Sequence, residues 1–324
     1  MTKEVKSEIA YKENNISKDR KFNHGIDGVV LLAGGLRPSP LVRGVGVSVL
    51  DLPLHASLTV LDHWLDLLSK TAGHSKQDIE SVVVAYTSNS PQPAIPHDAK
   101  GLPTIRFMCD QTGLRGPAGT VRDLSSHLDD DATIFIAEAA RLFTGDINNY
   151  LQFHIKSGAD VTVGRNGDGS PAGIYLTTKR TIDLVPTEGF MDLKEQWLSK
   201  AVGEEKKVQV FSFDEQAGLP LRTWQQFMNG IRWMNRSVED KDSSFSTLRH
   251  LRFGEDFGKR MGAASIVMDG SKVADSARIV DSVVMPGSIV GDDAVIVRSF
   301  IGSGVRVSTG QMVVDSMLRE TISD

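Results

Sequence analysis

The 324-residue chain carries 36 basic and 41 acidic residues, a net charge of -5, and 40% hydrophobic residues, enough for about two domains with sizeable cores. Its charges are intermixed and no basic stripe interleaves with aromatics, which argues against a nucleic-acid partner. A single cysteine, Cys109, excludes an internal disulfide framework or a cysteine-rich metal site, and no apolar run reaches the roughly 18 residues of a membrane span.

Residues 1–26 are charged throughout, lack the apolar core of a signal peptide, and read as a disordered tail on a cytoplasmic protein. Residues 29–37, VVLLAGGLR, then run four aliphatics into Ala33, Gly34 and Gly35. That pattern fits a buried parallel strand ending in a turn whose bare backbone can approach a ligand, and equally an ordinary chain-reversing loop. Val60, Leu61, Trp64, Leu65 and Leu68 repeat at helical spacing, and 82–86 read as a second buried strand. Further strands are expected at 104–109 and 133–137, separated by a glycine-rich loop that enters a helix. Asp146 is placed to cap a helix whose Ile147, Tyr150, Leu151 and His154 share one face. Strands at 160–163, 173–176 and 208–213 complete a rhythm that implies a Rossmann-like, mostly parallel α/β sheet over residues 27–235.

Residues 236–261 are polar and charged and read as a connector. Over 262–318 the period changes. Aliphatics recur almost every sixth position at Val273, Ile279, Met285, Val290, Ile296, Ile301, Val307 and Val313, with two five-residue steps. Small residues such as Ala277, Ala294, Gly291 and Gly302 sit between them. This period belongs to a parallel β-helix, with an irregular β-sandwich as the alternative; 319–324 form a tail.

The glycine turn after the first strand, GPAGTVRD at 116–123, GADVTV at 158–163, PAGIYL at 171–176 and the hexapeptide coil together resemble the sugar-phosphate nucleotidylyltransferases, over residues 27–318. The resemblance implies an α/β nucleotidyltransferase domain followed by a left-handed β-helix. It also implies the reaction of a nucleoside triphosphate with a sugar 1-phosphate to give a nucleotide-sugar and pyrophosphate. Implied partners are the nucleoside triphosphate or nucleotide-sugar, a sugar phosphate, and further copies or a related subunit joined through the coil. In such a reaction charge builds on phosphoryl oxygens, so rate comes from positioning and from cations aimed at them. The implied devices are a glycine-rich loop carrying an Arg, a downstream Lys-Pro, and two aspartates that hold Mg²⁺.

Several of these devices are altered. By direct count Ser39 takes the loop Arg position, leaving Arg37 or Arg43 as displaced substitutes or as solvated surface residues. Leu52-Pro53 stands for Lys-Pro, so the ammonium is missing. The metal aspartates fall on Ala140, flanked by Glu138 and Asp146, and on Ala217, with Asp214 three residues away. Asp146 and Asp214 are therefore the candidate Mg²⁺ ligands, should the protein be active. The resemblance assigns nucleotide contacts to Ala33, Gly34, Gly35, Gly116, Ala118 and Gly119. It assigns the sugar pocket to Gly173, Tyr175 and Lys194, the last of which also fits a solvated helix lysine. Asp110 is either a carboxylate beside the base loop or a turn residue. His63, Trp64 and His127 lack metal spacing, and Cys109 reads as an inert thiol. After His250 there is no histidine to serve acyl transfer in the coil. Three readings stand: an active nucleotidylyltransferase, a non-catalytic homologue that binds a nucleotide-sugar or sugar phosphate, and an assembly module.

Overall fold

The computed structural model describes residues 25–35, 37–72, 81–95, 104–110, 115–239 and 264–320. The expected tail at 1–24, the connector at 240–261 and the last four residues lie outside the described residues. β1 (Gly28–Leu32) leads through α1 (Pro40–Val45), a 3-10 turn (Val49–Asp51) and the ribbon of β2 (Pro53–His55) and β3 (Leu58–Thr59) into α2 (Val60–Ala72). There follow β4 (Ser81–Thr87), β5 (Thr104–Asp110), α3 (Gly116–Leu124), β6 (Thr133–Glu138), β7 (Arg141–Phe143) and α4 (Ile147–Ser157). β8 (Val161–Arg165), β9 (Pro171–Thr178) and α5 (Lys179–Ile182) come next, then a π-helical turn (Leu193–Trp197) that runs into α6 (Leu198–Gly203). β10 (Val208–Ser212), β11 (Gly218–Pro220) and α7 (Trp224–Glu239) close the unit.

Seven strands form one sheet in the order β10-β8-β9-β6-β1-β4-β5. All neighbours are parallel except β9, which is antiparallel to both β6 and β8. The β8–β9 connection at 166–170 is too short for the crossover of roughly a dozen residues that a parallel pair requires, so the chain reverses there. Alternation along the buried strands divides the core in two. Val29, Leu31, Phe135 and Ala137 face Trp64, Phe143, Tyr150 and Phe227, while Val30, Ile134 and Ile136 face Ala118, Val121, Tyr175 and Trp197. Among the described residues no helix is long and apolar enough to cross a membrane.

Trp64 and His63 are packing residues. Trp64 stacks on Phe143 at 5.6 Å and donates to the Ala139 carbonyl at 3.3 Å, and His63 Nε2 lies 2.6 Å from the Phe143 carbonyl. His154 is buried on α4 with Nδ1 2.8 Å from the Thr162 hydroxyl, and burial pushes it down to about 4. A histidine held neutral in the fold stabilises fully above its unfolded value of 6.5, and that contribution fades as pH falls toward 4. Asp51 runs the other way, because burial pushes its carboxyl up to about 6 and its contribution grows on acidification. The readout is therefore a difference. Between pH 7 and pH 4 the wild type is expected to lose roughly 3 kcal/mol more than a His154→Gln variant, measured by urea unfolding.

From Ala264 to Glu320 the chain winds in parallel rungs. Ile266 faces Val283, Lys272 faces Ile289 and Arg278 faces Val295, each 17 residues on. Inward aliphatics stack as Val267, Val284, Ile301 and Leu318, as Val273, Val290 and Val307, and as Ile279, Ile296 and Val313. The expected position Met285 is corrected to Val284, for Met285 points out of the coil into the core of the α/β unit. The shift arises at the five-residue side of each rung, where the left-handed corner residues Asp281, Arg298 and Asp315 (φ 48°, 46° and 49°) turn the chain early. Behind those corners the Ser282 and Ser299 hydroxyls accept from the N–H groups of Ser299 and Ser316, both at 3.0 Å.

The coil packs on the α/β unit. Ile266, Val283 and Phe300 enter the larger core, Phe300 meets Trp224 edge-on at 6.4 Å, and Arg232 pairs with Asp281 at 2.9 Å. A second side presents Lys272 and Arg306 to solvent, and a third presents Val280, Met312 and Val314.

Candidate functional site

Strand order reverses at β1, with β4 and β5 on one side and β6 on the other. In open α/β sheets ligands dock outside the carboxyl ends of the strands at such a reversal. The turn at Gly34 and Gly35 and the β6 terminus at Glu138 flank this point, and antiparallel β9 brings Pro171–Gly173 to the same edge.

Glu138 is the most heavily engaged side chain there. Its Oε2 accepts from Arg141 Nε at 2.9 Å, and its Oε1 lies 2.8 Å from Lys194 Nζ. Burial pushes this carboxyl up, but Arg141 and Lys194 together outweigh burial and hold it below its ordinary value. Arg141 is 12% exposed, donates also to the Gly218 carbonyl at 3.1 Å, and lies under β9. Gly173 is bare for this reason: at φ 81° an added Cβ would run into the Arg141 guanidinium. Lys194 is 41% exposed, so its ammonium reaches both Glu138 and solvent. Sequence reasoning treated it as equally suited to a solvated helix face, and the π-helical turn that delivers it to the sheet edge leaves no local signature.

The glycines assigned to the nucleotide are largely packed against protein. A Cβ at Gly34 would lie 2.6 Å from the Thr87 backbone nitrogen, one at Gly116 2.6 Å from the Met191 carbonyl, and one at Gly119 2.9 Å from Arg115 Cβ. Gly35 differs, being exposed, with its carbonyl accepting from the Thr87 hydroxyl at 3.1 Å. Ala33 is half-buried and Ala118 buried; Tyr175, 1% exposed, is spent on the core between sheet and α3 rather than presented at the edge. Burial pushes its hydroxyl up, with Glu138 and Asp192 adding to the effect.

A strap from Pro186 to Lys194 crosses this edge, and sequence reasoning missed it. Arg115 donates to the carbonyls of Pro186 (2.9 Å) and Gly189 (3.2 Å) while pairing with Asp123 at 2.9 Å. Met191 donates to the Arg115 carbonyl at 3.0 Å and accepts from Ala118 N–H at 3.1 Å. Asp110 accepts from the Thr120 hydroxyl at 2.8 Å, tying the end of β5 to α3. Asp51, also missed, accepts from Ala94 N–H at 2.9 Å and anchors the segment beyond β4.

The remaining assignments separate. Ser39, at the expected Arg position, caps α1 by accepting from Val42 N–H at 3.3 Å. Arg37 and Arg43 are both exposed, Arg43 in the last turn of α1. Leu52 is buried, Pro53 pairs within the β2–β3 ribbon, His127 is exposed and Cys109 half-buried. Asp146 accepts from Asn149 N–H at 3.1 Å as the cap of α4, and Asp214 is exposed on the loop after β10. Mg²⁺ takes carboxylate oxygens with near-ideal geometry. Here one candidate caps a helix, another stands on an exposed loop, and the carboxylate at the reversal is matched by two cations. Among the described residues no three His, Cys, Asp or Glu side chains form a metal-sized group. This donor set does not fit the ion. The sequence matches no protein-family model and no curated protein.

Proposed function

We propose that the chain is a nucleotidylyltransferase-like protein, an α/β domain with a left-handed β-helix, that binds a sugar phosphate or nucleotide-sugar without Mg²⁺-dependent transfer. The observation that carries this reading is the Lys194–Glu138–Arg141 group beside the point where strand order reverses. Two cations on one carboxylate leave a net positive charge at the strand ends, which attracts a phosphate and repels a divalent cation. Lys194 supplies ammonium hydrogens to a phosphate while Arg141, locked by Glu138 and the Gly218 carbonyl, keeps the group in place. The 17-residue rungs and their three stacked ladders support the β-helix reading.

A thermal-shift series with nucleotide-sugars and sugar 1-phosphates, run with Mg²⁺ and with a chelator, tests it alongside a pyrophosphate-release assay. The expected result is stabilisation that survives chelation, no pyrophosphate, and about a tenfold weaker affinity in Lys194→Met. Pyrophosphate release that requires Mg²⁺ would return the chain to the active enzymes, and the lack of any shift would leave only an assembly role.

A further inference from the structure

We infer that Phe190 is a stacking wall for a planar ring, so that the ligand at this edge is a nucleotide or nucleotide-sugar rather than a simple sugar phosphate. The inference rests on the binding reading above and adds the class of ligand. Phe190 is 46% exposed and is the aromatic among the large hydrophobic side chains left in solvent in the described residues. Its ring edge lies on the first residue of α3, where a Cβ on Gly116 would come within 2.9 Å of Phe190 Cε2. A side chain in larger form at 116 would displace it.

The ring stands on a braced segment. On one side Gly189 is held by Arg115, and on the other Met191 exchanges two backbone hydrogen bonds with Arg115 and Ala118. Downstream, Asp192 accepts from the N–H groups of Lys194 (2.7 Å) and Glu195 (3.0 Å), which fixes the turn that carries Lys194 to Glu138. An exposed ring on a mobile loop signifies little. A ring that five hydrogen bonds keep in water is pre-organised, and a flat apolar face fixed at a polar edge suits a base, which offers a π-face whatever its identity. Phe190 and Lys194 are four residues apart in sequence, at most roughly 14 Å along the chain, a separation that a single nucleotide bridges from base to phosphate.

Calorimetry on the full chain with four nucleoside monophosphates and with ribose 5-phosphate decides the matter. Wild type is expected to bind the nucleotides about tenfold more tightly than ribose 5-phosphate. Phe190→Ala should erase that advantage while leaving ribose 5-phosphate affinity unchanged, and Phe190→Trp should restore it. Lys194→Met should weaken both ligand types alike. A nucleotide advantage that persists in Phe190→Ala overturns the stacking role and leaves the phosphate site intact. Wild type that binds neither ligand type overturns the phosphate site and the stacking role together. Melting temperature and circular dichroism of each variant establish that it is folded.

Discussion

Arg141→Met is expected to destabilise the protein by about 3 kcal/mol at neutral pH, the cost of stripping a partly buried carboxylate and a backbone carbonyl of their common donor. The guanidinium is 12% exposed and bonds Glu138 and the Gly218 carbonyl together, while Glu138 is 22% exposed and keeps Lys194 as its second cation. That residual pairing holds the loss near the lower end of what a broken buried pair costs. The pH dependence has a definite sign. In wild type the Glu138 carboxyl sits below its ordinary 4.5, so its contribution is present above that value and disappears as pH falls through the folded one. In the variant burial outweighs the remaining cation and pushes the carboxyl up, so acidification relieves the variant while it weakens wild type. Urea unfolding should therefore show a gap that is widest near pH 7 and narrows toward pH 4. A gap that stays constant would mean that lost packing beneath Gly173 carries the effect and that Glu138 contributes little.

Phe300→Ala should cost roughly 3 to 4 kcal/mol, the range for removing a large aromatic from a core that cannot close around the cavity. Phe300 is fully buried, yet it belongs to the coil and its ring faces Trp224 of α7. Together with Ile266, Val283 and Met285 it makes the coil part of the core behind the sheet. The loss should therefore appear equally in tryptophan fluorescence, which reports on the α/β unit, and in far-ultraviolet circular dichroism, which reports on both. Coincident shifts of the two curves are the expected result. A fluorescence transition that stays in place while the dichroism curve moves would show that the coil unfolds by itself.

Local pattern carried the α/β architecture well. The aliphatic runs in β1, β4 and β6 and the helical spacing in α2 and α4 are strong because each buried element must present apolar residues at its own period. The coil was legible for the same reason, but only in part. A six-residue count placed Met285 inside, whereas the repeat is 17 residues, readable in VDSVV, VRSFI and VDSML at 280–284, 297–301 and 314–318. Comparing those three segments with one another would have put Val284 in the core.

The edge of the sheet was far less legible. Gly34, Gly116, Gly119 and Gly173 look alike in sequence as bare backbone awaiting a ligand, but each has a neighbour from a distant segment pressed against it. Arg141 attracted no notice because its partners, Glu138 and Gly218, are three and 77 residues away. Lys194 read equally as a surface lysine until β6 was seen beneath it.

Composition and periodicity by themselves determined that the chain builds a mostly parallel α/β sheet and then a stack of parallel rungs, because burial acts on every second, third or sixth residue along the chain. Tertiary structure alone decided which charges meet at the strand ends, which glycines are filled, and that the coil shares a core with the sheet. Those outcomes depend on residues brought together from more than 50 positions apart, such as Lys194 and Glu138 or Phe300 and Trp224, and pairings at that range leave no period in the sequence to be read.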